Sequence, residues 1–251
     1  MRRLEICCGD LQSVKAAVAG GADRIELCTG LAEGGMTPSA ALIREAVRIA
    51  GERVKVHVLI RPRPGDFCYD DDEKAQILGD TAFIVDDCPG VAGLVFGALT
   101  LDGDIDTELC SRFMKLAGDK STTFHRAFDL CKGPFEAMER IISLGFDRIL
   151  TSGHASSAYE GIETLARLNR KADGRIIILG GAGVNSSNAA EIIKRSGLTE
   201  LHASARRRIA SAMRFRNDGV AMGAPGEDEY SRPVTSAEEV AALRQAVDIN
   251  K

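Results

Sequence analysis

Acidic, thiol, imidazole and guanidinium side chains recur at the ends of short β-forming runs, spaced so that a closed sheet would gather them in one place. In LEIC (residues 4–7), Leu4 and Ile6 alternate with Glu5 and Cys7; in RIELC (24–28), Ile25 and Leu27 alternate with Glu26 and Cys28. Successive strand residues point to opposite faces, so Glu5, Cys7, Glu26 and Cys28 are expected on the inner face if the apolar residues meet helices outside. The same rule turns His57 and Arg61 inward after VKVHVLI (54–60), and His202 and Ser204 inward in ELHAS (200–204). In TTFHRAFD, Thr123 and His125 share one face, Phe124 and Arg126 the other, and Asp129 lies just beyond.

Charges enclosed by a sheet are costly unless paired, so Glu5, Glu26, Arg61 and Arg126 imply a hydrogen-bonded network near one end of it. At the carboxyl ends of barrel strands such a network is catalytic or substrate-binding, whereas near the opposite end it is structural. Glu5 and Glu26 lie slightly deeper than the strand ends and fit either role. In a catalytic site, His125 or Glu26 would act as general acid or base while Arg61 and Arg126 clamp an anionic group. The run Gly180-Gly181-Ala182-Gly183, followed by HASARRR (202–208), matches loops that bind phosphate through backbone amides; Gly181, Gly183, His202 and Ser204 are its candidate contacts. The glycines serve equally well as a tight turn. Arg206, Arg207 and Arg208 either strengthen that site or begin a solvated helix.

The stretch RPRPGDFCYDDDE (61–73) places Arg61, Arg63, Asp66 and Tyr69 in one loop. Arg63 is a candidate fork for a carboxylate or phosphate, and Asp70 to Glu73 reads as a helix N-terminus. Cys7 and Cys28 are expected side by side on adjacent strands, where two thiolates could hold the soft ion Cu(I). His125 and His202 are candidate additional ligands. Buried cysteines also occur simply as small hydrophobes.

The elements that must position these groups follow a regular period. Eight β-rich runs, LEIC, RIELC, VKVHVLI, AGLVF (92–96), TTFH (122–125), RILT (148–151), RIIIL (175–179) and ELHAS, alternate with amphipathic stretches. Their ends, from Cys7 to Cys28, Arg61, Gly97, Arg126, Ser152, Gly181 and Ser204, are 21 to 36 residues apart, the length of a strand, a crossover helix and two loops. Thr37-Pro38 is expected to start the helix running from Ser39 to Ala50, and Thr235 with Glu238 to cap the last helix. Eight such units with no second composition regime favour an α/β fold of the (β/α)8 TIM barrel type, one domain over residues 1–251, rather than an open sheet. The irregular stretch over 214–233 could cover one mouth of the barrel.

Composition narrows the partners. The net charge of -4 lacks the basic surface that nucleic acid requires, and no run approaches the roughly 18 apolar residues of a membrane span. MRRLEICCGD interrupts any secretory signal with Glu and Asp, and the seven cysteines contain no C-x-x-C pair, so reduced thiols in the cytosol are expected.

At these motifs the sequence resembles the CutC copper-homeostasis family. The resemblance is carried by LEIC, GGADRIELC (20–28), GGMTPS (34–39), IRPRPGDF (60–67), TFHRAFD (123–129), RILTSG (148–153) and the pair GGAGV (180–184) and HASA (202–205). It implies a (β/α)8 barrel, a cytoplasmic location, a homo-oligomer (dimer or tetramer) and a part in copper homeostasis. It further implies that Glu5, Glu26, Arg61, Arg63, His125, Arg126 and Asp129 belong to the family's shared pattern, with Cys7 and Cys28 as Cu(I) thiols. Two readings therefore stand side by side: a Cu(I)-binding protein, and an enzyme acting on a small anionic metabolite, phosphorylated ones included, by acid–base chemistry.

Overall fold

A computed structural model describes residues 2–217, 219–220 and 228–249. Eight parallel strands close into a barrel: β1 (Arg3–Cys8), β2 (Arg24–Leu27), β3 (Lys55–Leu59), β4 (Gly93–Phe96), β5 (Ser121–Phe124), β6 (Arg148–Thr151), β7 (Ile177–Gly180) and β8 (Glu200–Ala203). They pair in chain order, and β1 also pairs with β8, Glu5 opposite His202, which seals the ring. The eight crossover and flanking helices are α1 (Leu11–Ala19), α2 (Ala40–Ala50), α3 (Asp71–Asp87), α4 (Thr107–Ala117), α5 (Pro134–Leu144), α6 (Ile162–Ala172), α7 (Ala189–Ser196) and α8 (Ala237–Asp248). The expected (β/α)8 TIM barrel is what the chain forms. Among the described residues no helix is long and apolar enough to cross a membrane.

The strands are nearly all buried on both faces, as a parallel sheet covered by helices requires. Their outward residues, such as Leu4, Ile6, Ile25, Leu27, Val56 and Val58, form the main apolar core with the inner stripes of the helices. The inward face is different: only Cys7, Cys28, Leu59 and Val95, with Leu31 against them, make an apolar cluster inside the barrel. Helix starts are fixed by side-chain caps. Asp70 and Glu73 form a reciprocal capping box at α3, as the acidic run predicts. Two other caps fall one or two residues past expectation. Ser39, not Thr37, accepts from the Leu42 amide at α2, because Thr37 is occupied in a reciprocal pair with the Arg61 backbone. Ser236, not Thr235, accepts from the Glu239 amide at α8, because Thr235 ends a strand.

That strand belongs to a departure from the eightfold pattern. After β8 the chain forms an antiparallel ribbon, β9 (Arg206–Ala210) with β10 (Ser231–Thr235), before α8 begins. Arg206 to Arg208 therefore sit in a strand, which corrects the expected helix start. Of the stretch 214–233 proposed to cover a mouth of the barrel, residues 218 and 221–227 lie outside those described.

Candidate functional site

The first inward residues of the strands form the floor. Arg24 donates from Nε to Glu5 and from Nη2 to Glu200 at 2.6 Å, and Arg148 lies 3.5 Å from Glu200 while donating to Ser121 at 2.7 Å. All four charged groups are buried. Burial alone would raise the Glu5 carboxyl, but Arg24 and His202 outweigh it and hold Glu5 well below the usual carboxylate range. This network sits at the amino ends of β2, β6 and β8, the end of a barrel where a polar network is scaffold rather than catalysis.

One layer higher, the network reaches the site. His202 donates from Nδ1 to Glu5 Oε1 at 2.7 Å and lies 3.3 Å from Glu26 Oε2. Burial opposes its protonation, yet hydrogen bonds to Cys7 and Glu5 and the charges of Glu26 and Glu5 raise its pKa well above the ordinary histidine value. Glu26 is pushed up to about 7, chiefly by burial, with His202 pulling down and Glu5 adding to the rise. The neighbouring His57 is driven down to about 3 by burial. Room for its ring comes from Gly93, where a Cβ would lie 2.6 Å from the imidazole and from the Ser121 carbonyl.

At the carboxyl ends, the Cys7 and Cys28 sulfurs are 3.6 Å apart, and Cys28 is fully buried behind Cys7. The hydrogen bond with Cys28 and burial together raise the Cys7 thiol well above its ordinary value, while His202 pulls it down. Sγ of Cys7, a carboxylate oxygen of Glu26 and a ring nitrogen of His202 all lie within 4.8 Å of one another. Above them opens a cavity of about 260 Å³. Cys7, Glu26 and His202 form one side; Arg61, Phe67, His125, Arg126, Gly183, Ser204 and Arg206 contribute to the rest.

The cavity thus gathers most of the residues singled out in the sequence, from β1, β2, β3, β5, β7 and β8 or the loops after them. It excludes others. Glu5 is 1% exposed and orients His202 rather than facing the cavity, so its catalytic assignment gives way to a positioning one. Arg63 is turned away and pairs with Glu73 and Asp66, which corrects its role as a substrate fork. Asp129 is likewise occupied: it accepts from Thr151 Oγ1 at 2.5 Å and from the Ser152 and His154 amides, and pairs with Arg126 at 2.7 Å, so it buttresses the loop after β6. Gly181 lies beneath the rim, with space for a Cβ denied by Leu150 at 2.6 Å. Burial, with the Arg61 charge adding to it, lowers His125 to about 3, so near neutrality its ring is neutral and only weakly basic. Arg24, Arg148 and Glu200 were not singled out, although alternation places Arg24 on the face of Glu26 and Glu200 on that of His202.

Comparison with known proteins accords with this arrangement. The chain is 48% identical over 250 residues to a CutC family protein of Chromobacterium violaceum, covering 98% of both. It is 45% identical over 241 residues to the human protein named copper homeostasis protein cutC homolog, covering 96% of this chain and 87% of the relative. The crystal structure of CutC from Streptococcus agalactiae superposes with a TM-score of 0.76 at 32% identity, over 80% of this chain and 98% of that one. With the CutC family profile also matching residues 2–207, from the first strand into the ribbon, this chain belongs to the CutC family.

Proposed function

We propose that the protein acts in copper homeostasis in the cytoplasm by holding Cu(I) as cargo between Cys7 and Cys28. The observation that carries this reading is the pair of facing sulfurs, 3.6 Å apart at the cavity's edge, with the His202 imidazole beside Cys7. The donor set fits a soft monovalent ion: the two cysteine sulfurs favour Cu(I), whereas hard cations seek oxygen. Glu26 alone would suit a harder ion, but no second carboxylate joins it in that cluster. His202, anchored by Glu5, pulls the Cys7 thiol part of the way back from the high value that Cys28 and burial impose on it. All seven cysteines are free thiols, consistent with a reducing compartment. The relatives' names support a part in copper homeostasis. A homo-oligomer, dimer or tetramer, belongs to the same reading.

Anaerobic Cu(I) titration against a competing chelator tests it. One tightly held equivalent in the wild type, lost in both Cys7→Ser and Cys28→Ser, is the expected result. Unchanged stoichiometry and affinity in the two variants would remove the thiols from the site and the proposal with them.

A further inference from the structure

The cavity holds a buried cation with no anion. Arg61 is 6% exposed, and its Nη groups donate to the Glu33, Gly35 and Gly65 carbonyls at 3.1, 2.9 and 2.7 Å. Among the described residues no carboxylate pairs with it, and its Nε has no acceptor. The other buried arginines behave differently: Arg24 and Arg148 each have a carboxylate within ion-pair distance. A buried guanidinium held only by neutral carbonyls has lost its hydration without a compensating charge.

His125, which lines the same cavity, carries a second orphan donor. His125 Nδ1 accepts from the Ala127 amide at 3.2 Å, so in the neutral ring the proton resides on Nε2. That Nε2 has no partner, although the residue is 95% buried by its 5% exposure. The Phe67 ring fixes both groups, lying 4.9 Å from the Arg61 guanidinium carbon and 4.7 Å from the imidazole centroid. On the rim, Ala182 and Gly183 both adopt positive φ, 81° and 69°, and the amides of Gly183 and Val184 donate to no acceptor among the described residues. Ser204 and Arg206 also line this part of the cavity. Among the described residues, Glu26 is the one carboxylate of the cavity lining, against the guanidinium groups of Arg61, Arg126 and Arg206.

We propose that the cavity binds a small molecule through an anionic oxygen group, a phosphate or a carboxylate, which neutralises Arg61 and accepts from His125 Nε2–H. The site is independent of copper: it uses the wall opposite in character to the thiols and requires neither Cys7 nor Cys28. Two unsatisfied donors on one cavity wall, one of them charged, match the two or more acceptor oxygens of such a group. The donors are also fixed before the ligand arrives, so binding spends little on ordering them.

Titration of the 15N-labelled wild-type protein with inorganic phosphate, and separately with acetate, tests the proposal without any substitution. The expected result is a saturable shift of the His125 Nε2–H resonance, with the Gly183 and Val184 amides moving as well if phosphate is the preferred group. A response to acetate alone identifies the carboxylate source. His125→Phe, which keeps the ring volume but no donor, should weaken binding by about tenfold or more, the loss of one hydrogen bond to a charged acceptor. Ser204→Ala on the rim supplies a second variant that leaves the buried wall intact and should weaken phosphate by a smaller factor. Absence of any saturable shift at His125 with both anions, or binding that leaves Nε2–H unmoved, overturns the proposal. Cu(I) stoichiometry in the same samples separates its failure from failure of the thiol site.

Discussion

Replacing Arg24 with methionine should show how much of the barrel depends on its internal ion network. The guanidinium is 3% exposed and neutralises two buried carboxylates, Glu5 and Glu200. Methionine occupies similar length but leaves Glu5 with His202 alone and Glu200 with Arg148 at 3.5 Å. Removing one partner of a buried pair costs about 3–5 kcal/mol, about a fifth or more of the ~5–15 kcal/mol that stabilises an ordinary domain. In a chain of this size that corresponds to a fall in Tm of roughly 6–20 °C. The loss has a pH signature. Glu5 is held below its unfolded pKa, so its contribution is present above about pH 4.3 and lost as pH falls through the folded value. The gap between Arg24→Met and wild type should therefore be full at pH 7 and narrow below about pH 5. Urea unfolding followed by circular dichroism at several pH values measures both features. A deficit under about 1 kcal/mol at pH 7, or one that does not shrink in acid, would refute the account of the network as mutually compensating charge.

Three further outcomes follow from the same geometry. His57 and His125, both driven to about 3 by burial, contribute stability that is complete above about pH 6.5 and is lost as pH falls, at about 1.4 kcal/mol per pH step for each; His57→Gln should flatten the urea midpoint's acid slope, and an unchanged slope would show that His57 is not held neutral. Gly93→Ala places a Cβ against the His57 ring and the Ser121 carbonyl at 2.6 Å, so it should cost about 1–3 kcal/mol by chemical denaturation, a cost reduced when combined with His57→Ala. Asp129→Ala leaves the Ser152 and His154 amides without their acceptor and should lower stability by about 2–3 kcal/mol, with faster hydrogen exchange confined first to those amides; Asp129→Asn, which keeps one acceptor oxygen, should recover part of it.

The barrel was legible because its signal is repeated: alternation within each strand and a strand–helix period across the chain both point to one closed parallel sheet. The same alternation correctly turns Cys7, Glu26, Cys28, His57 and His202 inward, since these residues lie within strands or one residue past them. Beyond the strand ends the rule carries no information about direction. Arg61 and Arg63 are alike in sequence, yet one guanidinium is enclosed under loop carbonyls and the other folds outward onto Glu73, a choice set by the path of a loop rather than by its composition. Asp129 was misread for the same reason, because its partners are the amides of Ser152 and His154, distant along the chain. The ribbon was missed because three consecutive arginines satisfy a helix start as well as an exposed strand, and its pairing partner lies more than twenty residues on.

The seam between β1 and β8 has a consequence for how the molecule is made. Arg3 stands opposite Glu200 in the strand register, and beside that seam Thr235 N–H donates to Ser13 while Arg232 and Arg244 form ion pairs with Asp10 and Asp23. Each of these contacts joins residues about two hundred positions apart, and such distant pairings form slowly because the intervening chain must first be organised. During synthesis the first two strands emerge long before Glu200, so Glu5 and Arg24 wait in water with only one another. Desolvation of that ion cluster is therefore a last event, and ring closure and charge burial should appear as a single late kinetic phase.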